Sequence, residues 1–167
     1  MTGPHGRSPV TIRAARDSDA ETFTRIYVDS ARHHHAIDPV VHQVPDGPLA
    51  LERIRAKLAE PEMDVFMAER DGEVVGIVEL KVVIGGTLGS IMRPIRSAEV
   101  GIAVAAYARG GGIGTDLMTF AEQWARDHDC EAMVLDTAAA NSGAIRLYER
   151  LGYEVYGLQM RKPIGGR

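Results

Sequence analysis

Four glycines lie immediately before a segment with helical periodicity. They are Gly110, Gly111, Gly112 and Gly114, in the stretch YARGGGIGTDL. Glycine lets the backbone turn sharply and come close to a ligand. The first N–H groups of a helix have no partners within the helix, and the positive end of its dipole lies there. The stretch therefore predicts an anion site, best suited to phosphate or pyrophosphate.

Two common phosphate-binding motifs can be tested against this stretch. A Walker loop requires Gly-Lys-Ser/Thr, and no such run follows the glycines. A dinucleotide fingerprint requires G-x-G-x-x-G, but its third glycine, counted from Gly110, falls on Thr115. Asp136 lies at a suitable distance downstream for a ribose contact, so a dinucleotide enzyme stays an alternative. A flexible surface turn without a ligand is the plain structural interpretation.

A second pattern follows in NSGAIRLYERLGYEVYG. Asn141 and Tyr148 are seven positions apart, which places them two turns apart on nearly the same helix face. Ala144, Leu147 and Leu151 form an apolar stripe that would anchor this helix. Tyr148 would then either point its hydroxyl towards a ligand or pack in the core with its hydroxyl at the rim.

Both patterns match signatures of one protein family. Arg109–Gly114 agrees with R/Q-x-x-G-x-G/A, and Asn141–Tyr153 agrees with N-x-x-A-x-x-L-Y-x-x-x-G-F/Y. Order and spacing also agree, and the chain resembles the GNAT superfamily of acyl-CoA-dependent N-acetyltransferases over about residues 10–161. The resemblance implies direct transfer of an acetyl group to a primary amine of a small molecule or peptide, without an acyl-enzyme. The alternative is a CoA-binding module without turnover, used for sensing or assembly.

The resemblance also implies which residues hold acetyl-CoA, the expected co-substrate. The glycine loop would bind the pyrophosphate, and the preceding strand would pair with the pantetheine arm. Asn141 would hydrogen-bond that arm, and a backbone N–H near Val104 would stabilise the oxyanion. The expected cofactor-binding residues are Ile102, Ala103, Val104, Arg109, Gly110, Gly111, Gly112, Ile113, Gly114, Thr115, Asn141 and Tyr148. No metal is expected.

Two further roles follow from this resemblance. Tyr148 is the expected acid, because a phenol of pKa about 10 can protonate a leaving thiolate. Glu99, on the strand before the glycine loop, is the expected general base. Strand alternation points it away from the site unless a bulge resets the register. Glu79 on the preceding strand is the alternative, and an amine can also react with no dedicated base.

The acceptor pocket is expected where the first helix ends, in ARHHHAIDP. The family builds this pocket from its first helices, their loop and the hairpin loop. His34, His35 and Asp38 fall there, and Asp38 or Glu79 would attract an ammonium group. Adjacent histidines point in different helical directions, so at most two could share a metal. A solvated helix end is the plain interpretation.

Composition limits the classes of function. A net charge of −4 argues against a general nucleic-acid binder. The sequence has no apolar run of membrane-spanning length, and MTGPHGRSP lacks the apolar stretch of a signal peptide. The single cysteine, Cys130, fits a reducing compartment and a small core residue. We therefore expect a cytoplasmic protein with neither nucleic-acid nor membrane partners, while a homodimer stays open.

The elements that must position these residues follow from patterning. The patterns follow the order strand, helix, helix, two hairpin strands, strand, helix, strand, helix, strand, and Asp71-Gly72 marks the tight hairpin turn. CEAMVLDT reads as a strand, and YEVYGLQMRK reads as the last one. The chain of 167 residues suits a single α/β (α+β) domain over residues 10–167, after a flexible tail at 1–9. The resemblance implies a mixed, mostly antiparallel sheet of six to seven strands, splayed between strands 4 and 5, with about four flanking helices.

Overall fold

The structure is a computed structural model, and it describes residues 8–87, 89–162 and 164. Within these residues four helices and five strands form, together with two short 3-10 turns. The strands are β1 (Thr11–Ala14), β2 (Asp64–Arg70), β3 (Glu73–Gly85), β4 (Ile95–Val104) and β5 (Ala132–Val134). The helices are α1 (Ala20–Ile37), α2 (Gly47–Leu58), α3 (Ile113–Asp127) and α4 (Ser142–Arg150).

One open sheet holds all five strands in the order β1-β2-β3-β4-β5. The first four strands are antiparallel neighbours; the short turn Asp71-Gly72 joins β2 to β3, whereas α1 and α2 lie between β1 and β2. β5 pairs with β4 in parallel, as expected after the crossover through α3. The predicted mixed, mostly antiparallel α/β sheet with four helices is confirmed.

The register decides which side chains face which helices. A Cβ atom on Gly76 would lie 2.9 Å from Cγ2 of Ile113, so the even-numbered residues of β3 face α3. The odd-numbered residues face α2, because Glu79 bonds to Lys57 of that helix. The hydrophobic core lies on both faces of the sheet. Its largest fully buried side chains include Phe23, Ile54, Leu117 and Met118.

The predicted count of six to seven strands is wrong for the described residues. YEVYGLQMRK, expected as the last strand, has no strand pairing over residues 153–162, and its apolar side chains from Val155 onward are exposed. Val155 and Met160 are 79% and 91% exposed. A strand needs a ladder of backbone partners, and three-residue β5 offers a very short edge for one.

The sheet splays where it was predicted to do so, between strands 4 and 5. The pairing of β4 with β5 covers only Ser97↔Ala132, Ala98↔Met133 and Glu99↔Val134. β4 continues to Val104, and among the described residues no strand pairs with that stretch on the β5 side. We call this opening beside residues 100–104 the β4–β5 gap.

Three further predictions concern the N-terminal tail, the single cysteine and membrane-spanning segments. The tail predicted at 1–9 lies outside the described residues except for Ser8 and Pro9. Cys130 is half-buried and packs against the core, as expected for a small apolar residue. None of the described helices combines the length and the apolar character needed to cross a bilayer.

Candidate functional site

The glycine loop leads directly into α3 and leaves donors free there. Gly110 and Gly112 have φ angles of +72° and +75°, a left-handed conformation that side chains disfavour. Gly112 precedes the helix without a side-chain cap, and the first backbone bond runs from Asp116 to Gly112. The N–H groups of Ile113, Gly114 and Thr115 therefore have no acceptor within the described chain. This geometry suits the predicted anion site.

Gly114 is required by close packing rather than by its backbone angle. A Cβ atom there would lie 3.0 Å from Cδ2 of Leu147 and 3.7 Å from Cδ1 of Ile102. Three elements therefore converge at this point: α3, α4 and β4. The start of α3 is held close to the β4–β5 gap because no side chain intervenes.

Backbone groups of β4 face the gap at alternate residues. The N–H of Ala105 donates to the carbonyl oxygen of Val75 at 3.0 Å. In an antiparallel ladder this places the polar groups of Ala103 towards β3 as well, and those of Ile102 and Val104 towards the gap. The pantetheine prediction, made for all three of residues 102–104, is thus narrowed to Ile102 and Val104.

The side chain of Arg109 occupies one of the backbone groups that face the gap. Its Nε donates to the carbonyl oxygen of Val104 at 3.2 Å. The N–H of Val104 and both backbone groups of Ile102 stay available to a ligand that lies along β4 like an added strand.

Asn141 has a local structural role in addition to any ligand contact. It is buried, with 8% exposure, and caps α4 by accepting the Ala144 N–H at Oδ1, 3.2 Å away. The cap occupies the acceptor of the amide, while its NH₂ group has no partner among the described residues. A ligand carbonyl is therefore the group that Asn141 could still bind.

Tyr148 is half-buried on α4, as the motif predicted, and packs beside Tyr153. Their ring centroids lie 5.8 Å apart. Burial raises the pKa of Tyr148 above its ordinary value. Burial, with Glu122 and Tyr148 nearby, raises the pKa of Tyr153 to about 12. The Tyr153 hydroxyl lies 3.3 Å from Sδ of Met133, whereas the Tyr148 hydroxyl has no hydrogen-bond partner in the described chain.

Glu99 and Glu79 differ in their distance from the gap. The β3–β4 pairing runs without a register shift, so no bulge turns Glu99, which lies exposed opposite Lys81. Glu99 lies three positions before Ile102, a distance on the order of 10 Å along a strand. Glu79 lies opposite Gly101, and its Oε2 would be 3.3 Å from a Cβ atom there. Glu79 is therefore the carboxylate nearer to the gap.

His34 and Asp38, the residues predicted to bind the acceptor amine, form hydrogen bonds with backbone groups at the end of α1. Nδ1 of His34 lies 2.8 Å from the carbonyl oxygen of Ser30. Oδ1 of Asp38 accepts the N–H of Val40 at 3.0 Å, which forms the turn after α1. Within the described residues neither side chain forms a hydrogen bond or ion pair with Glu79. The structure does not join these three residues into one cluster.

Two residues near the site were missed by sequence reasoning. Partial burial, together with the positive charge of Arg109 and the neighbouring His34, lowers the pKa of His33. Its spacing of seven from the buried Ile26 was the available signal. Arg70 donates a hydrogen bond to the carbonyl oxygen of Gly111 at 3.3 Å. No local sequence pattern predicts this contact, because the two residues are far apart in the chain.

No group of three or more His, Cys, Asp or Glu side chains in the described residues is arranged to hold a metal ion. His35 illustrates the point: its Nδ1 contacts the carbonyl oxygen of His42 at 2.7 Å rather than another potential ligand. Independence from metal stays a prediction.

The fold is an α/β domain with a splayed sheet, and the β4–β5 gap ends at a glycine loop whose helix N–H groups are open. The chain belongs to the acetyltransferase (GNAT) family, whose model matches residues 20–153. Among curated relatives, the mycothiol acetyltransferase of Thermomonospora curvata is 34% identical over 117 residues, 68% of this chain and 36% of that protein. The N-alpha-acetyltransferase of Sulfurisphaera tokodaii is 34% identical over 100 residues, 58% of this chain and 60% of that protein.

Solved structures show the same fold at low identity. The BH1408 protein of Bacillus halodurans superposes with a TM-score of 0.84 at 20% identity, covering 92% of this chain and 99% of that one. The aminoglycoside N-acetyltransferase AAC(6')-Iy, solved in complex with CoA, gives 0.64 at 20% identity over 99% and 98% of the two chains. The chain thus spans nearly all of these solved chains but 36% of the T. curvata relative.

The cap at Asn141 leads to a stability prediction. Asn141→Ala removes the acceptor for the Ala144 N–H and should lower the free energy of unfolding by about 1 kcal/mol in urea titrations. Asn141→Asp keeps an acceptor at the helix start and should retain the stability.

Ser142→Ala is the matched control, because its side chain makes no hydrogen bond within the described residues. If Asn141→Ala and Ser142→Ala unfold at the same urea concentration as the unmodified protein, the cap contributes nothing.

Proposed function

We propose that this domain transfers an acetyl group from acetyl-CoA to a primary amine of a small molecule or peptide, in one step without an acyl-enzyme. The observation that carries the proposal is the β4–β5 gap, with free backbone groups along one side and free helix N–H groups at its end. The names of the relatives, a mycothiol acetyltransferase and an N-alpha-acetyltransferase, support acetyl transfer to an amine.

The residues around the gap fit the coenzyme by chemical type. Residues 110–115 would receive the diphosphate through backbone N–H groups, each charge-assisted bond contributing about 1.5–3 kcal/mol. Ile102 and Val104 would pair with the amide arm, and the NH₂ of Asn141 would bind a carbonyl of that arm. Bound acetyl-CoA supplies the activated acetyl thioester.

The backbone N–H of Val104 is our proposed donor to the carbonyl oxygen, where negative charge develops. A bond forms between the amine nitrogen and the acetyl carbon, and the carbon–sulfur bond breaks. The nitrogen loses a proton, and the thiolate sulfur gains one.

Tyr148 is our proposed acid for the leaving thiolate. If the leaving thiol is as acidic as that of cysteine, with a pKa of about 8.5, full transfer from a phenol of pKa about 10 is uphill by about 2 kcal/mol. Burial raises the pKa of Tyr148 further. Donation of a hydrogen bond to the sulfur is therefore its larger contribution, and the proton is replaced from solvent afterwards.

Two carboxylates, Glu79 and Glu99, are candidates for the general base. We propose Glu79, because it lies nearer to the gap. Glu79 lies beside Gly101, one residue before Ile102, on the face that α2 covers. Lys57 binds its Oε1 at 2.6 Å, while Oε2 has no described partner. A carboxylate there would attract an ammonium and take up a proton directly or through one water.

The overall proposal is tested by ligand binding and turnover together. Acetyl-CoA should raise the thermal unfolding midpoint, and NAD should not, because only a ligand of the native state stabilises it. A panel of amines with acetyl-CoA should then release free thiol. Stabilisation by CoA without turnover of any amine would make the domain a CoA-binding module, and stabilisation by NAD alone would favour the dinucleotide alternative. A cytoplasmic location and a homodimer stay predictions.

Tyr148→Phe should lower kcat with acetyl-CoA by about 10²-fold, within the range for loss of a general acid, and leave KM for acetyl-CoA nearly unchanged. Tyr153→Phe is the matched control, since its ring is adjacent and its hydroxyl faces Met133. Equal kcat values for Tyr148→Phe and the unmodified enzyme would eliminate the proposed acid.

Glu79→Gln should lower kcat/KM for the amine at least about tenfold at pH 7, from loss of the base and of the attraction. The loss should shrink as the pH rises, because more of the amine is then already neutral. Glu99→Gln should stay within about twofold of the unmodified enzyme. A larger loss in Glu99→Gln than in Glu79→Gln would move the base to Glu99.

A further inference from the structure

Arg70 ends β2 directly behind the glycine loop. The ring of Phe66, on the same strand, packs 4.7 Å from that of Phe120 on α3, so the even-numbered residues of β2 face α3. A register shift between Ala68 and Glu69 then brings Arg70 opposite Glu73 at the hairpin end. The long side chain of Arg70 thereby reaches the loop that precedes α3.

The guanidinium of Arg70 touches the loop backbone. Its Nη2 donates to the carbonyl oxygen of Gly111 at 3.3 Å. Its Nη1 lies 3.3 Å from the position that a Cβ atom on Gly111 would occupy. Gly111 therefore leaves just enough room for the guanidinium to lie against the loop.

Arg70 also has an unusual shortage of partners. Its Nε is buried and is the one such side-chain nitrogen or oxygen in the described residues without a hydrogen-bond partner. An unsatisfied buried donor costs about 1–3 kcal/mol, more when charged, and native proteins rarely retain one without a reason. No carboxylate of the described chain pairs with Arg70. Arg13, by contrast, binds both Asp19 and Glu69.

We propose that Arg70 is a positioning residue for the diphosphate of the coenzyme. It holds the carbonyl of Gly111, which keeps the following N–H groups turned outward, and its uncompensated charge adds to the attraction for an anion in front of the loop. The inference rests on the proposed function for the identity of that anion. The effect of Arg70 is confined to ligands that carry a diphosphate.

Two variants and two acetyl donors separate this role from general support of the fold. Arg70→Gln removes the charge, and Arg70→Lys keeps it without the planar fork. The donors are acetyl-CoA and S-acetyl-N-acetylcysteamine, a short thioester without phosphate. Arg53→Gln is the control for net charge, because Arg53 is exposed and makes no bond within the described chain.

Arg70→Gln should raise KM for acetyl-CoA at least tenfold while kcat stays within twofold, and kcat/KM for the short donor should not change. Arg70→Lys should raise KM for acetyl-CoA at least threefold, and it decides the matter if Arg70→Gln does not fold. Arg53→Gln should match the unmodified protein. An unchanged KM for acetyl-CoA, or equal losses with both donors, would overturn the role.

Thermal unfolding with CoA or inorganic diphosphate decides the proposal independently of turnover. Each ligand should raise the midpoint of the unmodified protein and raise that of the Arg70 variants less. Equal shifts in all of them overturn the role of Arg70 and leave the proposed function intact. Smaller shifts in the variants, with no amine acetylated by the unmodified protein, support Arg70 and overturn the transferase function. No shift of the unmodified protein with either ligand overturns both.

Discussion

The early end of the pairing between β4 and β5 is the feature on which the site depends. Backbone groups in a sheet normally satisfy one another, and here the ladder stops at Glu99 while β4 runs on to Val104. Ile102 and Val104 therefore present polar groups to an opening instead of to a strand. A ligand with amides of its own can complete that ladder at little conformational cost to the protein.

Close packing sets the distance between the β4–β5 gap and the glycine loop. Gly76 lets the first turn of α3 lie on β3, and Gly114 lets α4 and β4 meet it. Side chains at these two positions would push the free N–H groups away from the end of β4. The site is thus held by packing in the core as much as by the loop, which explains why glycines occur inside the strand and helix and not only between them.

The parts of the site that sequence could predict are those with a local cause. Gly112 opens α3 and Asn141 caps α4, and each depends on a few adjacent residues. The positions of Glu99, Glu79 and Arg70 depend on strand register. A register shift beside Ala68 determines where Arg70 lies. The strand expected at residues 153–162 failed for the same reason, because alternation of side chains predicts a strand only where an edge can receive it.

The difference between local and long-range causes also applies to the two substrates of the proposed reaction. A coenzyme held by backbone groups leaves a readable pattern of glycines, because main-chain geometry restricts the residue types. An acceptor would be held by side chains of α1, α2 and β3, where Asp38 already serves a turn and Glu79 already pairs with Lys57. With Oε1 of Glu79 bound to an ammonium of the protein and Oε2 open, the acceptor surface combines both signs of charge. An incoming amine would then meet a carboxylate whose attraction is partly offset by Lys57, which favours acceptors that bind through additional contacts over simple cations.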